Sequence, residues 1–390
     1  MKIKWKQVRI GAHLYRLEIE NGLFTKVEQD NTRLAMGEKG WNADGLLYMP
    51  TLSDMHCHLD KHFIGEMWKS RKAIDSLPNH LRREKELLTS LQGSVLERAR
   101  TLLNLMLSCG TTNIRTHVDI DPMIGLKHLE AVLQVKEEFK GKMEFEIVAF
   151  PQQGLLRSGS SEVMREAMRL GADLVGAVDP GGLDHKIEAC LDEVFGLATT
   201  FNKGVDIHLH DPGHLGVYTI DRMIDCAEQA NLQGQVAVGH AYCLGQITEA
   251  ESMELGMRLR EQGVSIISNV PIDRPMPNVP KLATLGVDVR LGTDNILDSW
   301  SPFGDGDMLK RTSRLAERFG WIEDKQLLDS YQFTTKKSLV PKVGDLADFL
   351  LVSAMNLEHA VAAAPPREFV VVGGKPVYER DETVSLKPAY

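Results

Sequence analysis

The sequence predicts an α/β protein: a (β/α)8 TIM-like barrel over residues 51–341, with a small β-domain formed by residues 1–50 and 342–390. Three observations predict it. Eight short β-rich runs alternate with amphipathic stretches, and the later units repeat at about 30 residues, the size of one strand–helix unit. Five of those runs close on His56, His117, His208, His240 and Asp294, and in such a barrel the active site lies at the C-terminal strand ends. Outside this region both chain ends return to short alternating strands with turn residues between them. A chain of 390 residues accommodates one large barrel with an appendage.

In chain order, Trp5–Ile10 and Tyr15–Ile19 alternate as strands do, and Glu20-Asn21-Gly22 is a turn. The barrel strands are expected at Thr51–His56, Thr112–His117, Glu144–Phe150, Asp173–Asp179, Gly204–His208, Gln235–His240, Val264–Asn269 and Val287–Asp294. Amphipathic helices are expected at Ser94–Ser108, Pro122–Phe139, Glu162–Leu170, Ile187–Asn202, Ile220–Asn231 and Glu249–Gln262, after a long first connection. Strands resume at Gly344–Val352 and Glu368–Tyr378, the latter broken by Gly373-Gly374. They are expected to pair with residues 1–50, because neither end has enough strand to bury a core alone.

The first barrel strand carries His56 and His58. Residues i and i+2 of a strand share a face, so the two imidazoles project together and suit a borderline metal such as zinc or iron. By itself such a pair is as readily two unrelated polar residues. The chemistry-bearing residues at the later run ends make a shared site the better reading.

The net charge of −9 and the absence of a basic tract argue against nucleic-acid and anionic-membrane partners. The opening MKIKWKQVRI lacks a signal-type apolar core, and no later run approaches a membrane span, so a cytoplasmic protein is expected. Five scattered cysteines without a CxxC pair read as reduced thiols. Homo-oligomerisation is left open.

The stretches His56-Cys57-His58-Leu59-Asp60, Arg115-Thr116-His117-Val118-Asp119, Val148-Ala149-Phe150-Pro151-Gln152 and Leu170–Gly176 resemble the cytosine-deaminase-like branch of the amidohydrolase superfamily. His58-Leu59-Asp60-Lys61, Val178-Asp179-Pro180, His208-Leu209-His210-Asp211, His240-Ala241-Tyr242-Cys243 and Asp294-Asn295 followed by Trp300 are more similar to the N-isopropylammelide isopropylaminohydrolases of that branch than to cytosine deaminases. A cytosine deaminase carries glutamate where this chain has Asp211, and aspartate where it has Asn295.

The resemblance implies one divalent metal, zinc or iron, held by His56, His58, His208 and Asp294. Binuclear relatives use a lysine at the end of the fourth strand, and Ala172–Asp179 contains none. It further implies that Asp294 deprotonates the attacking water and that His240 orients it or polarises the substrate. His210 and Lys61 become acid–base candidates, with Asp211 their neighbour. Gln152 is expected on the ring edge, since an amide offers both a donor and an acceptor. Trp300 is either a pocket wall or packing, Asp179 lines the site, and His117 is structural. The implied activity is hydrolysis of an exocyclic carbon–nitrogen bond on a small nitrogen heterocycle, a substituted triazine or pyrimidine, with release of amine or ammonia. Cytosine deamination and hydrolysis of a cyclic amide are the alternatives, and a non-catalytic heterocycle-binding barrel is the alternative of another class.

Overall fold

The computed structural model describes residues 2–381; the last part of the expected terminal β-domain, 382–390, lies outside them. The N-terminal strands are β1 (Lys2–Ile10), β2 (His13–Glu20), β3 (Leu23–Gln29), β4 (Trp41–Asn42) and β5 (Leu47–Pro50). The β2–β3 turn is Asn21-Gly22, both residues at positive φ (53° and 81°), as a two-residue hairpin matched to strand twist requires.

Eight strands then form the barrel: β6 (Leu52–Cys57), β7 (Thr111–Asp119), β8 (Glu144–Phe150), β9 (Leu174–Val178), β10 (Gly204–Leu209), β11 (Val236–His240), β12 (Ser265–Ser268) and β13 (Val289–Leu291). Neighbours pair in parallel from β6 to β13. A bridge between Cys57 and Asp294 brings the two edges together. The chain ends in β14 (Phe349–Val352), β15 (Arg367–Val372) and β16 (Lys375–Glu379), which join the N-terminal strands in one mixed sheet ordered β16-β15-β14-β5-β1-β2-β3.

The helices are α1 (Leu77–Thr89), α2 (Val95–Ser108), α3 (Lys127–Glu138), α4 (Ser161–Leu170), α5 (Ile187–Phe201), α6 (Gly213–Gln229), α7 (Glu249–Glu261), α8 (Val279–Thr284), α9 (Met308–Phe319), α10 (Asp324–Tyr331) and α11 (Leu357–Ala363). Reciprocal side-chain caps start helices such as α2, Ser94 with Glu97, and α7, Thr248 with Glu251. Helices α8 to α11 lie outside the expected helical stretches, and three further differences are informative. Helix α6 begins seven residues before Ile220, because Pro212 and Gly213 disguise its first turn. Helix α1 was not expected at all. Its sequence LPNHLRREKELLT buries only His80, Leu81 and Glu84, too polar a face to show as hydrophobic periodicity. Strand β13 stops at Leu291, short of the expected Asp294, since the chain there must pass His56. A Cβ at Gly292 would stand 2.4 Å from the His56 Cβ.

Two cores result. The larger lies among the barrel strands and their helices, with Leu103, Ile147, Val175, Val194, Ile207 and Val238 at its centre. The smaller belongs to the terminal sheet, where Trp5 stacks on Trp41 at 5.4 Å and meets Phe349 edge-on at 5.5 Å. Full burial of a ring such as Phe349 stabilises by about 1.5–3 kcal/mol. The Trp5 indole also donates to the Gly374 carbonyl at 3.0 Å, tying the first strand to the last hairpin.

Only Thr51 separates β5 in one sheet from β6 in the other. The junction is held by Tyr331 donating to the Pro50 carbonyl (2.6 Å) and Thr335 donating to the Thr51 carbonyl (3.0 Å). Lys337 joins Thr51 to Asp348 at 2.7 and 2.8 Å. Among the described residues, no helix is long and apolar enough to cross a membrane.

Candidate active site

The C-terminal ends of β6, β10 and β13 bring His56, His58, His208 and Asp294 together, all buried, with one ligand atom from each within 4.8 Å of the others. His58 Nε2 faces His208 Nε2 and Asp294 Oδ1, each at 3.4 Å, and His56 Nε2 is 3.8 Å from the same oxygen. The other His58 nitrogen lies 3.2 Å from the His117 carbonyl, to which it donates, leaving Nε2 a lone pair for a metal. Neither His56 nitrogen has a protein partner, nor has His208 Nδ1. Buried polar atoms without partners are costly, and three imidazoles with one carboxylate form a donor set that fits a divalent metal. Burial and the neighbouring imidazoles push His56 and His208 well below the ordinary imidazole value, so both rings are neutral, as metal ligands must be.

Packing fixes His56 from two sides. A Cβ at Gly239 would approach its ring to 2.9 Å, and Gly292 crowds its Cβ. Residues bearing side chains would displace it.

Asp294 has a divided carboxylate. Oδ2 accepts from the Asn269 amide at 2.8 Å, while Oδ1 faces the histidines. The same amide donates to Tyr242 Oη at 3.0 Å, and that oxygen lies 3.2 Å from His240 Nδ1. His240 Nε2 is buried and unpartnered. Burial, reinforced by His210, lowers the His240 ring to about 3. The backbone here is unusual: Asp179, His240, Ala241 and Asp294 all take positive φ (39°, 67°, 48° and 58°). Such conformations in non-glycine residues cost of order 1–3 kcal/mol and gather at functional sites.

His210 follows β10, with its ring 4.4 Å from that of His240 and its side chain 39% exposed. Its Nδ1 meets Asp179 Oδ2 at 2.9 Å. Burial lowers the imidazole, but Asp179 outweighs it and holds His210 above its ordinary value. Asp211 is turned elsewhere: one of its oxygens accepts from the Gly181 and Gly182 amides at 3.1 and 3.0 Å. Its carboxylate closes the loop after β9.

On the other side, Lys61 is buried, 3.0 Å from Asp119 Oδ1, and donates to Gln152 Oε1. Burial lowers the amine, but Asp119, Glu84 and Asp60 outweigh it, so it stays an ammonium. Gln152 Nε2 in turn donates to Glu84 Oε2 at 2.8 Å. Trp300 packs with Leu81, Phe150, Val178 and Leu183, and its indole donates to Glu84 Oε1 at 2.8 Å. Phe150 stacks on His208 at 4.0 Å.

The structure therefore gathers every residue expected at the site into one connected region. His117 is buried beneath the cluster, its ring 4.2 Å from that of His56. Sequence reasoning missed Glu84, Asn269 and the part played by Tyr242. Asn269 does close the seventh expected run, which was a usable signal. Nothing local marks Glu84.

The profile of the amidohydrolase family matches residues 39–378. The Escherichia coli (strain K12) protein YahJ is 38% identical over 363 residues, covering 90% of this chain and 79% of that protein. The N-isopropylammelide isopropyl amidohydrolase of Pseudomonas sp. (strain ADP) is 28% identical over 361 residues, covering 88% of each. Among solved structures, N-isopropylammelide isopropylaminohydrolase from Burkholderia multivorans superposes with a TM-score of 0.90 at 32% identity, covering 97% of this chain and 98% of that one.

Proposed function

The chain belongs to the amidohydrolase family and is a hydrolase of carbon–nitrogen bonds, and from that premise we propose that it removes an alkylamine from a substituted triazine, as N-isopropylammelide isopropylaminohydrolase does. The observation that carries this reading is the His210–Asp179 pair at 2.9 Å beside the histidine–aspartate cluster. It supplies a protonated imidazole where a departing amine needs a proton.

One metal, zinc or iron, would be held by His56, His58, His208 and Asp294, and when bound it makes water nucleophilic near neutral pH. Asp294 takes the proton from the attacking water, with Asn269 holding its other oxygen. Tyr242 Oη accepts from the Asn269 amide and lies 3.2 Å from both Asn269 Oδ1 and His240 Nδ1, which holds the His240 ring in place. His240 Nε2, free of protein partners, can meet an oxygen at the ring carbon. His210 Nε2 delivers a proton to the exocyclic nitrogen, so the carbon–nitrogen bond breaks with loss of a neutral amine. Lys61 is better suited to fixed charge than to proton transfer, because its three acidic neighbours bind the proton tightly. Gln152 meets the ring edge, and Phe150 and Trp300 form its apolar walls.

The second reading is cytosine deaminase. The position of the expected glutamate is Asp211, one methylene shorter, and its carboxylate is engaged by the Gly181 and Gly182 amides. That arrangement favours His210 as the proton carrier. The test compares kcat/KM for N-isopropylammelide and cytosine on one metal-loaded preparation. The alkylamine substrate should win, and cytosine ahead by tenfold would reverse the assignment.

A further inference from the structure

Glu84 is a carboxylate from an unanticipated helix, only 2% exposed, at the back of the proposed ring pocket. Three donors meet it: the Gln152 amide and the Ser299 hydroxyl at 2.8 Å, and the Trp300 indole at 2.8 Å. Those donors come from the loops after β8 and β13, so one side chain of α1 ties two loops together across the barrel mouth.

The bonding pattern has a consequence for Gln152. An amide side chain can turn over, exchanging oxygen and nitrogen with little change of shape. Here the two neighbours forbid it. The Lys61 ammonium only donates and must face Oε1, whereas Glu84, whose carboxyl burial pushes up to about 7, accepts from Nε2 in its ionised form. After those bonds Gln152 still has one lone pair and one hydrogen. They present an acceptor on the Lys61 side and a donor on the Glu84 side, in a fixed order.

We propose that Glu84 is a positioning residue that, together with Lys61, holds the direction of the Gln152 amide and also sets the plane of the Trp300 indole, and so helps determine which edge of a heterocycle the pocket accepts. The specificity part rests on the triazine reading above. A ring bound there has to offer N–H towards Lys61 and C=O towards Glu84. The mirror arrangement would leave two donors and two acceptors opposed, and buried polar groups left unpaired account for the strongest discrimination that binding sites achieve.

Glu84→Gln preserves size but removes the charged acceptor of Gln152 Nε2, so that end of the amide is held less tightly while Lys61 still faces Oε1. The test uses the metal-loaded full chain with isotope-labelled tryptophan, Trp300→Phe serving to assign the indole signal. In Glu84→Gln the Trp300 N–H resonance should move upfield as its charged acceptor is lost. KM for N-isopropylammelide should rise about tenfold, the size of one hydrogen bond, with kcat changed less than about threefold. In a Gln152→Ala background the same substitution should change KM by less than about threefold, because the two residues act as one unit. An unmoved indole signal overturns the proposal, as does an unchanged KM or full additivity with Gln152→Ala. If the wild-type protein turns over no ring amine, the functional reading fails separately. The indole signal then decides whether Glu84 positions Trp300.

Discussion

The Asn269 amide donates to Asp294 Oδ2 at 2.8 Å, which reserves Oδ1 for the side facing His56 and His58. A free carboxylate could rotate and present either oxygen. Asn269→Ala should therefore weaken metal binding about 10- to 100-fold, the usual effect of losing a residue that orients a ligand. Competition against a chelator of known affinity measures it. Unchanged affinity would show that packing alone holds Asp294.

Elemental analysis should find about one zinc or iron per chain, removed by chelation with loss of activity. A second group, His56, His117 and Asp206, also lies within metal-binding distance. It is not expected to hold an ion, because Arg115 donates to Asp206 at 2.8 Å and its positive charge repels another cation. Two metals per chain in the active protein would contradict this.

His210→Ala should lower kcat by about 10²-fold, within the range of general acid–base contributions, while the bound metal stays in place. Asp179→Asn should lower it in the same direction by removing the partner that keeps His210 protonated. Rapid-quench kinetics with metal analysis on each variant separates loss of the proton donor from loss of the site. Wild-type turnover in His210→Ala would remove it from the mechanism.

A pH effect on stability should come from His128. Its Nδ1 bonds Asp60 Oδ2 at 2.9 Å. Burial lowers the imidazole, but Asp60 outweighs it and raises His128 above the ordinary value near 6.5. A raised folded value means that the protonated ring favours the folded state. The contribution is complete below the unfolded value and fades as pH rises through the higher folded one. Wild type should thus exceed His128→Gln in stability most clearly at acidic pH, with the gap narrowing above neutrality. Urea titrations across that range test it, and a gap that widens with pH would refute it.

How much of this was legible in the sequence varies with how far each signal reaches. Barrel strands and the metal-type residues at their ends were legible because strand alternation and the i, i+2 histidine pair are local. Helix α1 was not, because its buried face includes His80 and Glu84 instead of aliphatic residues. Glu84 gains its meaning only from Gln152, 68 residues later, and Trp300, 216 residues later. The truncated end of β13 was equally hidden, since it follows from the bulk of His56 across the barrel seam. What the sequence conceals is mainly pairwise: a side chain whose role is assigned by a distant neighbour.

The single-residue junction at Thr51 imposes an order of events on the growing chain. Strand β5 has β14 as its antiparallel partner, with Leu47 opposite Val352 and Pro50 opposite Phe349. A chain made from its N-terminus acquires the His56–His58 strand well before β14, the partner that clamps the base of that strand, has emerged. Until then β5 has only the N-terminal strands beside it, and a loop of some 300 residues has yet to close, a slow non-local step. Nascent chains halted before residue 349 should accordingly be open to proteases around Leu47–Thr51, and completion of β14 should be what gives the metal strand its permanent footing.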